Sequence, residues 1–168
     1  MEQNKNREIR ISKVTLNIGA GDDKQKIEKA TKLLELLTGR KPVVTKSKTR
    51  STFGVPKGKP LGAMITLRGK GANEFLKKAL AGVENRIKSS QFDDQGNFTF
   101  GIKEYIDMPQ VKYSQEVGMM GLDVSVTLER RGFRISRRRI QKRKIPLSHK
   151  INKEDAAEWL KKYGVELI

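Results

Sequence analysis

Apolar residues alternate with polar ones along residues 9–18, but the alternation changes phase partway. Ile9 and Ile11 share one parity, while Val14, Leu16 and Ile18 share the other. One extra residue near Ser12 and Lys13, a β-bulge, restores a single apolar face and leaves Lys13, Thr15 and Asn17 on the opposite one. After the turn GAGDD, Asp22 or Asp23 can cap a helix whose Ile27, Ala30, Leu34 and Leu37 recur at helical spacing until Gly39 stops it. Residues 42–46 predict a short strand. Residues 63–68 predict another, with Ala63, Ile65 and Leu67 on one face and Met64, Thr66 and Arg68 on the other. A second helix from about Asn73 buries Phe75, Leu76, Ala79, Leu80, Val83 and Ile87.

Phe98, Phe100 and Ile102 mark a strand after the turn DDQGN. Leu122, Val124, Val126 and Leu128 form the cleanest alternation in the chain, turning Asp123, Ser125, Thr127 and Glu129 away. A last helix, capped at Asn152 with Asp155 three residues on, buries Ala156, Trp159, Leu160 and Tyr163 before Gly164. This order predicts an α+β fold, a split βαβ-like and mainly antiparallel sheet with helices packed on one face. The uncovered face would carry Thr15, Asn17, Thr66, Arg68, Ser125 and Thr127, polar enough to meet water or RNA.

Residues 48–62 are too rich in Gly, Pro and charge to pack, and they predict a long projecting loop. Ordering such a loop costs about 1–2 kcal/mol per residue in backbone entropy, so it is expected to be mobile until a partner holds it. At 168 residues the chain suits one domain over 1–168, with a basic C-terminal extension from about 130 to 168.

Charge changes this picture most. Lys and Arg number 36 against 19 acids, and the excess is not spread evenly. Nine basic residues and no acid lie between Glu35 and Glu74, and eleven and none between Glu129 and Glu154, so the rest of the chain is close to neutral. Two patches of one sign persist when a polyanion neutralises them, which points to nucleic acid. The tract RRGFRISRRRIQKRK, residues 130–144, is the strongest local signal for phosphate.

No apolar run approaches the roughly 18 residues of a membrane span, and the opening residues lack the apolar centre of a signal peptide. A cytoplasmic protein away from membranes is the expectation. The absence of cysteine excludes disulfides, thiolate metal sites and thiol nucleophiles.

Candidate catalytic chemistry does not assemble. GAG at residues 19–21 lies between strand and helix, but Lys24 occupies the place of a third glycine and no ribose-binding acid follows. GVPKGKP has too few residues between its glycines for a phosphate loop and lacks Ser or Thr after the lysine. His149, the one histidine, sits among cations with no carboxylate to orient it, and Asp93 and Asp94 belong to a turn. RGF resembles one motif of RNA-recognition domains, but Arg134 follows where Gly or Ala belongs. No enzyme, metal or cofactor is expected.

Five segments taken together are more specific: VTLNIGAG, TGRKPVVTKSK, the loop running into KPLGAMITLRG, FGIKEYIDMPQ and GLDVSVTL. They lie in order between residues 9 and 129, and they resemble the family of large-subunit ribosomal protein five. The resemblance implies a mixed sheet whose polar face and neighbouring loops grip 5S rRNA in the central protuberance, without catalysis. It implies RNA hydrogen bonds from Asn17, matching the TLN motif, and from Thr66, matching TLRG. Bacterial members carry Gln where this chain has Arg40, so a phosphate ion pair would replace that contact.

The resemblance also implies that the loop reaches peptidyl-site tRNA through Arg50, Thr52, Phe53, Lys57 and Lys59. Large-subunit rRNA, neighbouring proteins of the central protuberance and, across the subunit bridge, a small-subunit head protein complete the implied partners. Bacterial members lack a tract like residues 130–150 followed by a Trp159 helix, so the chain resembles the archaeal and eukaryotic branch. Further rRNA contacts are expected at Lys13, Thr15, Lys46, Lys48 and Arg68 around the sheet. In the tract they are expected at Arg130, Arg131, Arg134, Arg137, Arg138, Arg139, Lys142 and Arg143. A free-standing RNA chaperone or a packaging protein for double-stranded nucleic acid would show the same charge segregation. An enzyme acting on a phosphorylated substrate would need a base and a nucleophile that the sequence does not offer.

Overall fold

The computed structural model describes residues 4–52 and 54–168. In chain order its main elements are β1 Ile9–Gly19, α1 Lys24–Thr38, β2 Val43–Lys46, β3 Pro60–Leu67, α2 Lys70–Ala81, β4 Arg86–Ile87, β5 Phe98–Ile102, β6 Leu122–Arg130, α3 Arg134–Arg137, α4 Lys153–Lys161 and β7 Glu166–Leu167. Five strands make one antiparallel sheet in the order β2-β3-β1-β6-β5. The one parallel pairing among the described residues joins β4 to β7 in a separate two-stranded sheet. The expected α+β architecture is thus present, and the main sheet is antiparallel rather than mixed.

Local chemistry explains the boundaries. The register of β1 against β6 slips between Ile11 and Lys13, at the phase change in the sequence, so both halves of β1 turn apolar residues inward. The Asp23 carboxylate accepts the Gln25 and Lys26 backbone N–H groups at 2.9 and 3.4 Å and starts α1. Gly39, at φ 64°, ends it by donating its N–H to the Glu35 carbonyl at 2.7 Å. In α4 the Asp155 carboxylate accepts the Asn152 N–H at 3.2 Å, one arm of the expected capping box.

The core joins Val14, Leu16 and Ile18 of β1 to Leu33 and Leu34 of α1, Phe75, Leu76 and Leu80 of α2, and the inward residues of β3, β5 and β6. Burying each such Leu or Phe contributes roughly 1.5–3 kcal/mol.

Two expectations need correction. First, α2 begins at Lys70 and stops at Ala81, so Val83 and Ile87 are not on its stripe. Positive φ angles at Glu84 and Asn85 turn the chain, and Ile87 is buried instead in β4. Second, β3 begins at Pro60, three residues earlier than the alternation indicates. The connection between β2 and β3 carries backbone bonds of its own: Ser47 N–H to the Lys59 carbonyl at 2.8 Å, Gly58 N–H to the Ser47 carbonyl at 2.9 Å, and Ser51 N–H to the Val55 carbonyl at 3.0 Å. Its Gly and Pro content alone implies a segment unable to hold itself. No helix among the described residues is long and apolar enough to cross a membrane.

Candidate nucleic-acid interface

Strand register builds a polar lattice on the face away from the core. Thr66, Thr15, Ser125 and Thr99 stand in one row across β3, β1, β6 and β5, and Met64, Asn17, Asp123 and Gly101 in the next. Lys13 and Thr127 pair one step further on. All these side chains are exposed or half-buried. Thr99 Oγ1 donates to Ser125 Oγ at 3.1 Å, while Thr15, Asn17 and Thr66 have no side-chain hydrogen bond to another described residue. Short hydroxyls and one amide on a rigid sheet suit the base edges and 2′-hydroxyls of folded RNA. Asp123 accepts hydrogen bonds only, so it favours donors such as base amino groups and disfavours a phosphate directly above it.

Cations flank this lattice. Arg68 lies at its end and donates to the Ser12 carbonyl in the bulge at 3.3 Å. Lys46 and Lys48 are exposed at and beyond the end of edge strand β2. Arg40, just past α1, is exposed, and a guanidinium nitrogen comes within 3.8 Å of where a Cβ on Gly71 would stand, at the start of α2. Arg50, Thr52 and Lys57 of the β2–β3 connection are exposed. Lys59 instead forms an ion pair with Asp22 in the turn before α1, and Phe53 lies outside the described residues.

The C-terminal tract is not uniform. Arg131, Arg134, Arg139, Lys142 and Arg143 have no ion pair among the described residues, and their side chains lie at or near the surface. Arg138 donates through Nε to the Gln141 carbonyl at 2.9 Å, and Arg137 reaches Glu129 at 3.2 Å. Arg130 departs from the expectation of a phosphate ligand. It lies on the inward side of β6, pairs with Asp155 at 2.9 Å and donates to the Lys150 carbonyl at 3.1 Å. His149 Nε2 lies 2.8 Å from the Arg131 carbonyl and its ring meets Phe133 edge-on, so it packs the tract.

Thr99 and Arg10, which the sequence does not single out, share the polar side with Asp123. Their strand parity, opposite to Phe98, Val124 and Ile11, was the available signal.

A cleft of about 1690 Å³ opens between the start of β1, α2 and α4, with Trp159 and Tyr163 on one wall. Desolvation raises the Tyr163 phenol above the ordinary tyrosine range. No serine, threonine or histidine lines the cleft among the described residues, and its Asp155 is committed to Arg130.

Comparison with known proteins identifies the family. Residues 4–55 match the family described as ribosomal protein L5, and residues 60–165 match the C-terminus of the same ribosomal family. A protein of Sulfurisphaera tokodaii named large ribosomal subunit protein uL5 is 50% identical over 165 residues, covering 96% of this chain and 93% of its own length. Proteins of the same name from Nanoarchaeum equitans and Methanosphaera stadtmanae are 48% and 46% identical. The former alignment covers 96% of this chain and 97% of the relative, the latter 90% of each.

Proposed function

The chain belongs to the ribosomal protein L5 family and is a non-catalytic structural constituent of the large ribosomal subunit, and from that premise we propose that it binds 5S rRNA. In this reading the polar lattice of the sheet meets an irregular loop of the RNA, while the exposed residues of the tract hold phosphates of adjacent large-subunit rRNA. The β2–β3 connection offers Arg50 and Lys57 to peptidyl-site tRNA, and neighbouring ribosomal proteins complete the surroundings.

The observation that carries the reading is the row Thr66, Thr15, Ser125 and Thr99 beside Asn17, flanked on the same side by cations. Neutral hydrogen-bonding groups on the sheet read shape and bases, and charges around them supply affinity. A chaperone that binds RNA indiscriminately has no use for such a fixed lattice.

Crosslinking followed by sequencing of the attached RNA tests the identity of the partner directly. Crosslinks concentrated on 5S rRNA support the assignment, and crosslinks scattered over unrelated RNA sink it. Asn17→Ala should weaken 5S binding by about 1–3 kcal/mol, because a buried RNA group would lose its partner. Unchanged affinity in the folded variant would remove Asn17 from the interface.

A further inference from the structure

Two guanidiniums meet one carboxylate where the sheet face meets the basic tract, and two further cations stand beside them at the β1 bulge. Arg10 and Glu129 are register partners across β1 and β6, and the guanidinium lies 2.9 Å from the carboxylate. Arg137, arriving from α3, reaches the same carboxylate at 3.2 Å and the Ser12 hydroxyl at 3.4 Å. Beyond β3, Arg68 donates to the Ser12 carbonyl at 3.3 Å, and Lys13 follows Ser12 on the polar face. The bulge makes this possible. Its extra residue lies outside the regular register, which leaves Ser12 to hold two guanidiniums that come from different elements.

The exposures are unequal. Glu129 keeps only 14% of its side-chain surface, whereas Arg10 and Arg137 keep 56% and 53%. The acid is sunk beneath the cations, and their outer faces are open. Four positive groups against one negative group repel one another unless an anion bridges them.

We propose that the β1 bulge is a phosphate-binding site for the RNA backbone, in which one phosphodiester bridges Arg68 and Arg137, with Lys13 and Arg10 alongside. Glu129 is its positioning residue, aiming the guanidiniums without touching the RNA. This inference rests on the RNA-binding reading above and adds a mechanical point. One phosphate held at the seam locks the register between the RNA loop on the sheet and the backbone on the tract. Arginine suits the task, since its planar fork can grip a phosphate with two parallel bonds.

The test uses the full chain, a 5S rRNA transcript and polyuridylate, with dissociation constants measured across a salt series. Arg68→Gln and Arg137→Gln should each flatten the log–log salt slope, and the double variant, which loses the one bridged phosphate, should flatten it by roughly 0.7–0.9. Arg68→Lys should restore the slope, since the charge remains. Glu129→Gln discriminates best. It removes a negative charge, so a merely electrostatic surface would bind RNA more tightly, whereas loss of positioning should weaken 5S binding roughly tenfold.

Melting temperatures identify variants that fail to fold, and the separate Arg68 and Arg137 variants keep the test open in that event. An unchanged slope in the folded double variant, or tighter binding by Glu129→Gln, overturns the site. Wild-type protein that prefers 5S rRNA no more than polyuridylate would instead overturn the 5S reading, while the slopes on polyuridylate still decide the phosphate site.

Discussion

Replacing Arg130 by Met separates a folding role from an RNA role within the basic tract. The Arg130 side chain is only 10% exposed and is held by Asp155 at 2.9 Å and the Lys150 carbonyl at 3.1 Å. Breaking one side of a buried ion pair costs about 3–5 kcal/mol, because the other charge is left uncompensated. Two features lower that figure. Asp155 keeps 37% of its side-chain surface and still accepts the Asn152 N–H, so water and the helix cap absorb part of the loss. Arg130 Nε has no hydrogen-bond partner among the described residues, so its removal relieves a desolvated donor. A net loss of about 2–3 kcal/mol follows, and for a chain of this size that lowers Tm by roughly 4–12 °C. Thermal unfolding followed by circular dichroism measures it, alongside the salt dependence of 5S rRNA binding, whose slope should not change. A native Tm with a slope flattened by about 0.9 would refute the reasoning and return Arg130 to the phosphates.

Three further outcomes are expected. Replacing residues 52–59 by a brief Gly-Ser turn should leave 5S binding nearly intact yet speed release of peptidyl-site tRNA from assembled ribosomes; release at the wild-type rate would remove the tRNA role of this segment. Gly62→Ala should destabilise the fold by about 3 kcal/mol, read as a lower denaturant midpoint, because a methyl there runs into the Ile18 backbone carbonyl. For Tyr163 the folded state holds the phenolic proton more tightly than the unfolded chain does, so its contribution to stability is complete below the ordinary tyrosine value of about 10 and is lost as pH rises above it. Tyr163→Phe should therefore lessen the alkaline decline in stability, and an identical decline would exclude this residue as a source.

Much of the scaffold was legible because its signals are local. The phase slip near Ser12 and Lys13 predicts the bulge, and the Asp22–Asp23 pair, Gly39 and Asn152 mark helix ends by their capping chemistry, with Asp23 the residue that caps α1. The β4–β7 pair was not legible. Each strand has two residues, too few for a period, and their partners lie some 80 positions apart in sequence. Ile87 fitted a helical stripe because a spacing of four residues from Val83 serves a helix, while the left-handed turn at Glu84 and Asn85 is set by backbone geometry that the apolar spacing does not register.

The site divided along the same line. The polar parity of Thr15, Asn17 and Thr66 followed from alternation alone. Arg130 was assigned by the charge of its neighbours, although the alternation through Leu122, Val124, Val126 and Leu128 already gave it the inward parity. The seam around Glu129 depends on residues from β1, β6, α3 and the segment just beyond β3 meeting in space, which no local pattern records.

The strand order also governs how the molecule can be made. β1, which leaves the synthesising ribosome before the other strands of its sheet, is the middle strand of the finished sheet, between β3 and β6. Its last rung, Ile9 to Arg130, joins residues more than a hundred positions apart. At about 5–20 residues per second the ribosome needs roughly 6–24 seconds to deliver that partner. During this interval the apolar side of β1 has only β3 and the early helices for company, and the closing step is a long-range pairing of the kind that folds slowly. The nascent chain is thus most vulnerable to aggregation just before β6 emerges, and β6 is the strand that leads directly into the basic tract.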